Sequence, residues 1–307
     1  MTQEERNALQ RWAEHHKALA ADVPVEDWLS QSEIDKKRKK LEEDPIKWIK
    51  YFFPKYAKYE FAPFHVRAIK RVIEHDEWYE VLSWSRELAK STVAMFICMY
   101  LALTKRKRFF VLASATIDSA KRLLAPYKIN FESNPRIRQF YGSQVTLGQW
   151  TDGEFTAKCG AKFVALGAGS APRGARNEEV RPDVIYMDDY DTDEDCRNPE
   201  TLKKKWDWFE ASLYPTRSIS EPTLILWCGN IIAKDCCIKK AGAKARHWDI
   251  VNIRDKNGHS TWPAKNTEEQ IDTVLSNIST KSAQAEYFNN PVSEGTIFKY
   301  LPFGKVP

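Results

Sequence analysis

Trp78-Tyr-Glu-Val-Leu-Ser-Trp-Ser-Arg-Glu-Leu-Ala-Lys-Ser-Thr92 is the stretch on which the fold turns. Residues 78–83 are aromatic and apolar enough to read as a strand, and 91–104 read as a mostly buried helix. Between them lies what a phosphate loop needs. Backbone N–H groups at a helix N-terminus cradle phosphate oxygens, a lysine reaches the terminal phosphates, and a hydroxyl next to it binds Mg²⁺. Lys90 and Ser91 fill the last two roles. The two glycines of the standard pattern are replaced by Trp84 and Ala89, so the stretch taken alone is also compatible with a plain capped helix start.

About a hundred residues on, Val184-Ile-Tyr-Met187 reads as an apolar strand ending in Asp188-Asp189. A carboxylate at the end of a neighbouring parallel strand is what completes a Mg²⁺ shell in phosphate-loop enzymes, and a second acid beside it can polarise the attacking water. The competing description is an acidic loop after a core strand, since acids recur up to Asp195. The two halves together point to ATP and Mg²⁺ far more specifically than either alone.

Working outward, further strands are expected at 108–113, 162–166, 223–227 and 249–253, with an amphipathic helix over 117–132. Alternating strands and helices imply a mostly parallel sheet with helices on both faces, an α/β fold. Residues 1–45 read as charged helical segments, over 4–21 and 25–43, forming an N-terminal arm. The longest apolar run, Val93 to Leu103, has 11 residues, too few to span a bilayer. The first residues carry acids and no apolar segment, so no signal peptide is expected. Six scattered cysteines, including the adjacent Cys236 and Cys237, show no metal-ligand spacing and fit a reducing compartment. The net charge of +5 alone says little about partners, since many enzymes without polyanionic partners carry a similar excess. Short basic runs such as 36–40, 105–108 and 203–205 read first as solvated faces.

These motifs, with their flanks, resemble the ATPase domain of the large terminase subunit of tailed bacteriophages, the DNA-packaging motor. The resemblance covers roughly 45–300. Ser85-Arg-Glu-Leu-Ala-Lys-Ser-Thr92 is similar to that family's variant Walker A, and Arg173-Gly174 with Arg181-Pro-Asp-Val-Ile-Tyr-Met-Asp-Asp189 to its Walker B region. Leu226-Trp-Cys-Gly-Asn230 resembles the coupling motif, and Phe61-Ala-Pro-Phe-His65 the segment that contacts adenine. Glu286-Tyr-Phe-Asn-Asn-Pro291 through Phe298 is similar to the end of the ATPase half.

The resemblance implies an ATP hydrolase of the P-loop, RecA-like type with an additional strand. In it Ser85, Arg86, Glu87, Leu88, Ala89, Lys90, Ser91, Thr92 and His65 would bind the nucleotide, and Ser91 and Asp188 would hold Mg²⁺. Asp189 stands where the family carries a catalytic Glu, with Glu194 or Asp191 as fallbacks. Arg86 would touch the phosphates in cis, and Arg173, or Arg176 in its place, would act as an arginine finger on a neighbouring subunit's ATP. Asn230 would sense the terminal phosphate. The implied partners are double-stranded DNA gripped without regard to sequence, a portal protein and a small terminase subunit. The implied assembly is a homo-oligomeric ring, with a monomer as the alternative in isolation, and no membrane is involved. The implied location is the cytoplasm of an infected bacterium, docked transiently on the procapsid.

On this reading 1–45 is the arm, 46–300 the ATPase domain with a small lid or linker toward its end, and 301–307 the start of a linker. Only nine residues follow Phe298, so the family's nuclease domain does not fit in this sequence and cleavage is not expected from it. Two rivals remain at this point. One is a helicase-like translocase, suggested by Ala113-Ser-Ala-Thr116 at a strand end. The other is a non-catalytic adaptor built on a nucleotide fold, suggested by the missing glycines.

Overall fold

The computed structural model describes residues 23–172 and 180–292. Seven strands form one sheet among the described residues: β1 (Trp78–Trp84), β2 (Phe109–Ser114), β3 (Glu154–Thr156), β4 (Lys162–Gly167), β5 (Val184–Asp188), β6 (Leu224–Cys228) and β7 (His247–Val251). Their order is β3-β4-β2-β5-β6-β1-β7. Every pairing is parallel except β3 with β4. The six strands expected from the sequence are present. The seventh, β3, is a three-residue antiparallel edge strand with one buried side chain, too short to leave a periodic trace.

Successive strand residues point to opposite faces, and both faces are covered. On one side Leu82, Trp84, Phe110, Leu112 and Tyr186 meet α2 (Pro45–Phe52), α3 (Pro63–Glu74), α4 (Lys90–Leu103) and α5 (Ile117–Ser133). On the other, Val81, Val111, Ile185, Met187 and Trp227 meet α8 (Pro199–Trp208), a π-helical turn over Phe209–Leu213, and α9 (Cys237–Lys244). Helix α4 is buried along its whole length from Val93 to Leu103. This explains why its sequence is continuously apolar rather than amphipathic.

The first described helix, α1 (Gln31–Glu42), starts at Ser30, where a capping box with Glu33 fixes its entry, and the helix expected over 4–21 lies outside the described residues. The expected helix over 25–43 therefore begins several residues later, because Ser30 offers the backbone a cap that Pro24 cannot. Ile34 of α1 belongs to the main core, and Arg38 Nη1 donates to the Phe140 carbonyl at 2.9 Å, just before the end of α6 (Pro135–Tyr141). The described part of the arm is thus packed onto the body.

Register positions the site. Leu82 of β1 and Asp188 of β5 both stand opposite Cys228 of β6. The carboxyl ends of these three adjacent strands therefore come out at one level. In open parallel sheets this edge is where ligands bind.

Candidate active site

The loop between β1 and α4 owes its shape to two non-glycine residues in the left-handed region, Glu87 at φ 69° and Ala89 at φ 58°. Each such placement costs an L-residue on the order of 1 kcal/mol. Ala89 thus adopts the conformation that the standard pattern assigns to glycine. Trp84, at the other glycine position, is the fully buried last residue of β1 and packs on Phe64 and His65. Ala89 provides no side-chain cap for α4. The first N–H groups of this 14-residue helix have no intrahelical acceptor and are presented for an anion.

Lys90 stands at the helix start and its Nζ donates to Asn230 Oδ1 at 2.9 Å, just past the end of β6. Asp188 closes β5 and is 4% exposed. Its Oδ2 accepts from the Tyr186 hydroxyl at 2.6 Å, while its Oδ1 is buried without a hydrogen-bond partner. Burial, then the adjoining Asp189 carboxylate, push the Asp188 carboxyl up to about 6, against the pull of Ser91, Tyr186 and Lys90. A buried acid with an orphaned oxygen beside a serine hydroxyl is a poor arrangement for an unliganded protein, since unpaired buried polar atoms are costly. It suits a hard divalent cation, which takes oxygen ligands.

Asp189 turns out of the sheet at φ 41° and is exposed. It lines two cavities. One, of about 340 Å³, also holds Arg86, Lys90, Asn230 and Glu286. The other, of about 420 Å³, also holds Ser91, Thr92, Arg122 and Asp188. A further cavity of about 360 Å³ opens on the other flank of the loop, lined by Tyr59, Glu87, Ile253, Lys265 and Tyr287.

No protein-family model matches the chain, and no curated protein matches it. Among solved structures, the large terminase of bacteriophage HK97 superposes with a TM-score of 0.54 at 13% sequence identity, over 81% of this chain and 55% of that one. The fold is that of a phage large terminase. The likeness at this identity is one of fold. The large terminase of a thermophilic bacteriophage, in complex with ADP, gives a TM-score of 0.46 at 14% identity over 75% of this chain and 53% of its own. The ATPase domain of the large terminase of Thermus phage P74-26 gives 0.46 at 13% over 73% and 93%. The chain spans about half the length of the HK97 protein.

Within this terminase fold, the sequence-derived site residues separate into groups. Arg86, Lys90, Ser91, Thr92, Asp188, Asp189 and Asn230 line the adjoining cavities. Ser85 and Leu88 are fully buried and shape the loop from beneath, the Ser85 N–H donating to the Val251 carbonyl at 2.8 Å. His65 is also fully buried. Its Nδ1 accepts from the Ala62 N–H at 3.0 Å and its Nε2 donates to the Leu88 carbonyl at 2.9 Å, so the ring braces the loop and presents no free edge to a ligand. Asp191 accepts from the N–H groups of Cys237 and Ile238 at 3.0 and 2.9 Å, capping α9. Glu194 is exposed on the short helix α7 (Asp193–Arg197) and lines neither cavity. Arg173, Gly174 and Arg176 lie outside the described residues, as do 293–307.

Sequence reasoning gave no role to three groups that hold the site. Lys265 Nζ donates to the Glu87 carbonyl at 2.9 Å and to its carboxylate at 2.6 Å, fixing the strained part of the loop. Tyr186 orients Asp188. Glu286, on α11 (Thr280–Phe288), accepts from Arg86 and Asn230. Of these only Tyr186 carried a local signal, at two residues from Asp188 on the same face of a strand.

Proposed function

We propose that the chain is a Mg²⁺-dependent ATPase and the motor domain of a viral DNA-packaging machine. The observation that carries the reading is the convergence of Lys90, Ser91, Asp188, Asp189 and Asn230 around the N-terminus of α4, at the carboxyl ends of three adjacent parallel strands. β6, which Asn230 follows, lies between β1, which leads into the Lys90 loop, and β5, which ends at Asp188, so one side chain can register events on either side of it.

Lys90 and the helix N–H groups hold the β- and γ-phosphates of ATP. The Ser91 hydroxyl and the unpaired Asp188 oxygen would hold Mg²⁺, which would supply charge neutralisation to those phosphates. Asp189 orients the attacking water for in-line displacement, a reaction in which the protein contributes mainly position and charge. The flanking cavity with Tyr59 and Tyr287 takes the base, since aromatic walls suit a flat heterocycle. The motor reading adds sequence-independent, salt-sensitive contact with duplex DNA. It also adds a ring assembly in which Arg173 reaches a neighbour's nucleotide, and docking on a portal with a small subunit. Residues 1–45 are then an arm, 46–300 the motor body and 301–307 a linker.

The test is MgATP hydrolysis across a range of protein concentrations, for the wild type beside Lys90→Ala. Turnover abolished in the variant, and rising per subunit with concentration, is the expected result. Equal turnover in both proteins would sink the assignment, while turnover independent of concentration would remove the finger in trans.

A further inference from the structure

The terminal-phosphate region already contains an anion belonging to the chain. Glu286 lies on α11, 200 residues from the loop, yet its carboxylate pairs with the Arg86 guanidinium and accepts from Asn230 Nδ2 at 3.2 Å. Its backbone carbonyl accepts from the Arg86 N–H at 3.0 Å and from Asn230 Nδ2 at 2.7 Å. Asn230 in turn holds Lys90 Nζ. The carboxylate therefore takes up the same cation and amide donors that a terminal phosphate needs, one side chain away from the lysine. Arg86 meets Glu286 through its Nε, and Arg86 is 63% exposed on its side chain against 25% for Glu286. An incoming polyanion can reach the pair from the solvent side.

We propose that Glu286 is an internal stand-in for the terminal phosphate, which a nucleoside triphosphate must displace and a diphosphate need not. This rests on the nucleotide-site reading above and adds a residue that sets the preference between the two nucleotides. A nucleotide with a γ-phosphate places negative charge against the carboxylate, since Lys90 and Asn230 direct that phosphate into the cavity where Glu286 lines the wall. A diphosphate ends short of it. Displacing the carboxylate loosens the Arg86–Glu286 and Asn230–Glu286 contacts that fasten α11 to the loop and to the end of β6. Occupancy by a triphosphate is in this way transmitted to α11, the last helix among the described residues.

The experiment is calorimetric titration of the wild type and Glu286→Gln with Mg²⁺ and either ADP or a non-hydrolysable ATP analogue, alongside hydrogen exchange of residues 280–289. Glutamine keeps the size and can still accept from Asn230, while removing the charge. The expected result is about fivefold tighter analogue binding in the variant, the scale of one exposed ion pair, with ADP affinity changed less than about twofold. In the wild type the α11 amides should exchange faster with the analogue than with ADP. A carboxylate that only props Arg86 in place would give weaker binding of both nucleotides, which overturns the proposal while leaving the nucleotide site intact, as would unchanged analogue affinity. Binding of neither nucleotide by either protein would overturn both readings.

Discussion

Lowering the pH from 7 to 5 should remove a stabilising contribution made by one residue, His65. Its ring is fully buried beneath the loop, against Trp84 at 5.3 Å and Trp262 at 4.5 Å. Burial pushes the imidazole down to about 4 from its ordinary 6.5, the bond to the Leu88 carbonyl acting the other way and Lys265 adding to the depression. A depressed histidine is neutral in the folded protein at pH values where the unfolded chain already binds a proton. Its contribution is therefore complete above pH 6.5, declines as the pH falls toward 4, and is level below that. The full span is about 3 kcal/mol, and roughly 2 kcal/mol of it is lost between pH 7 and pH 5. Urea unfolding at the two pH values, for the wild type and His65→Gln, isolates the contribution of the imidazole. The variant will be less stable at both, because a packed ring is gone, but its loss between pH 7 and 5 should be smaller by about 2 kcal/mol. Equal losses, or a ring proton resonance titrating near 6.5 in the folded protein, would refute the burial argument.

Two further outcomes follow from the site and the second core. Asp188→Asn should eliminate hydrolysis yet raise the midpoint of thermal unfolding in metal-free buffer at pH 8, because an amide removes a buried charge whose second oxygen has no partner; a lowered midpoint would contradict this. Gly242→Ala should destabilise by about 2 kcal/mol, since a Cβ there would lie 2.3 Å from the Trp248 ring on the neighbouring edge strand, and denaturant titration reporting less than half of that would show that the ring yields freely.

The sheet was legible in the sequence because parallel strands covered on both faces must be short apolar runs, as β2, β4, β5 and β6 are, whereas β7 is an edge strand with no buried residue and lies two residues earlier than expected. β3 was not, since a three-residue edge strand contains a single buried side chain, Phe155. The phosphate loop was legible from Lys90 and Ser91 at a strand-to-helix junction and not from glycines. What the loop requires is a backbone conformation, and Ala89 reaches it at modest strain. Roles fixed by distant chain segments were illegible. Asp191 looked like a spare catalytic acid until α9, 46 residues away, supplied two N–H groups for it to cap. His65 looked like a ligand contact, whereas its partners are the backbone of its own helix start and of the loop 23 residues on. Asp183, a mere lead-in by sequence, accepts from the N–H groups of Arg108 and Phe109 and ties β5 to β2. Such roles depend on which segments the fold brings together, and periodicity carries no information about that.

Ala89 in the left-handed region also bears on how the loop behaves before any ligand arrives. Glycine would relieve the strain there but would leave the unfolded chain with more conformations to surrender on folding. Alanine narrows that ensemble, and with Lys265 clamping the neighbouring carbonyl the anion cradle is set in advance of binding. A preorganised cradle loses little conformational entropy when it closes on a phosphate. The same steric limit bars β-branched residues from position 89, so the loop's tolerance for substitution is confined to a very small set of side chains.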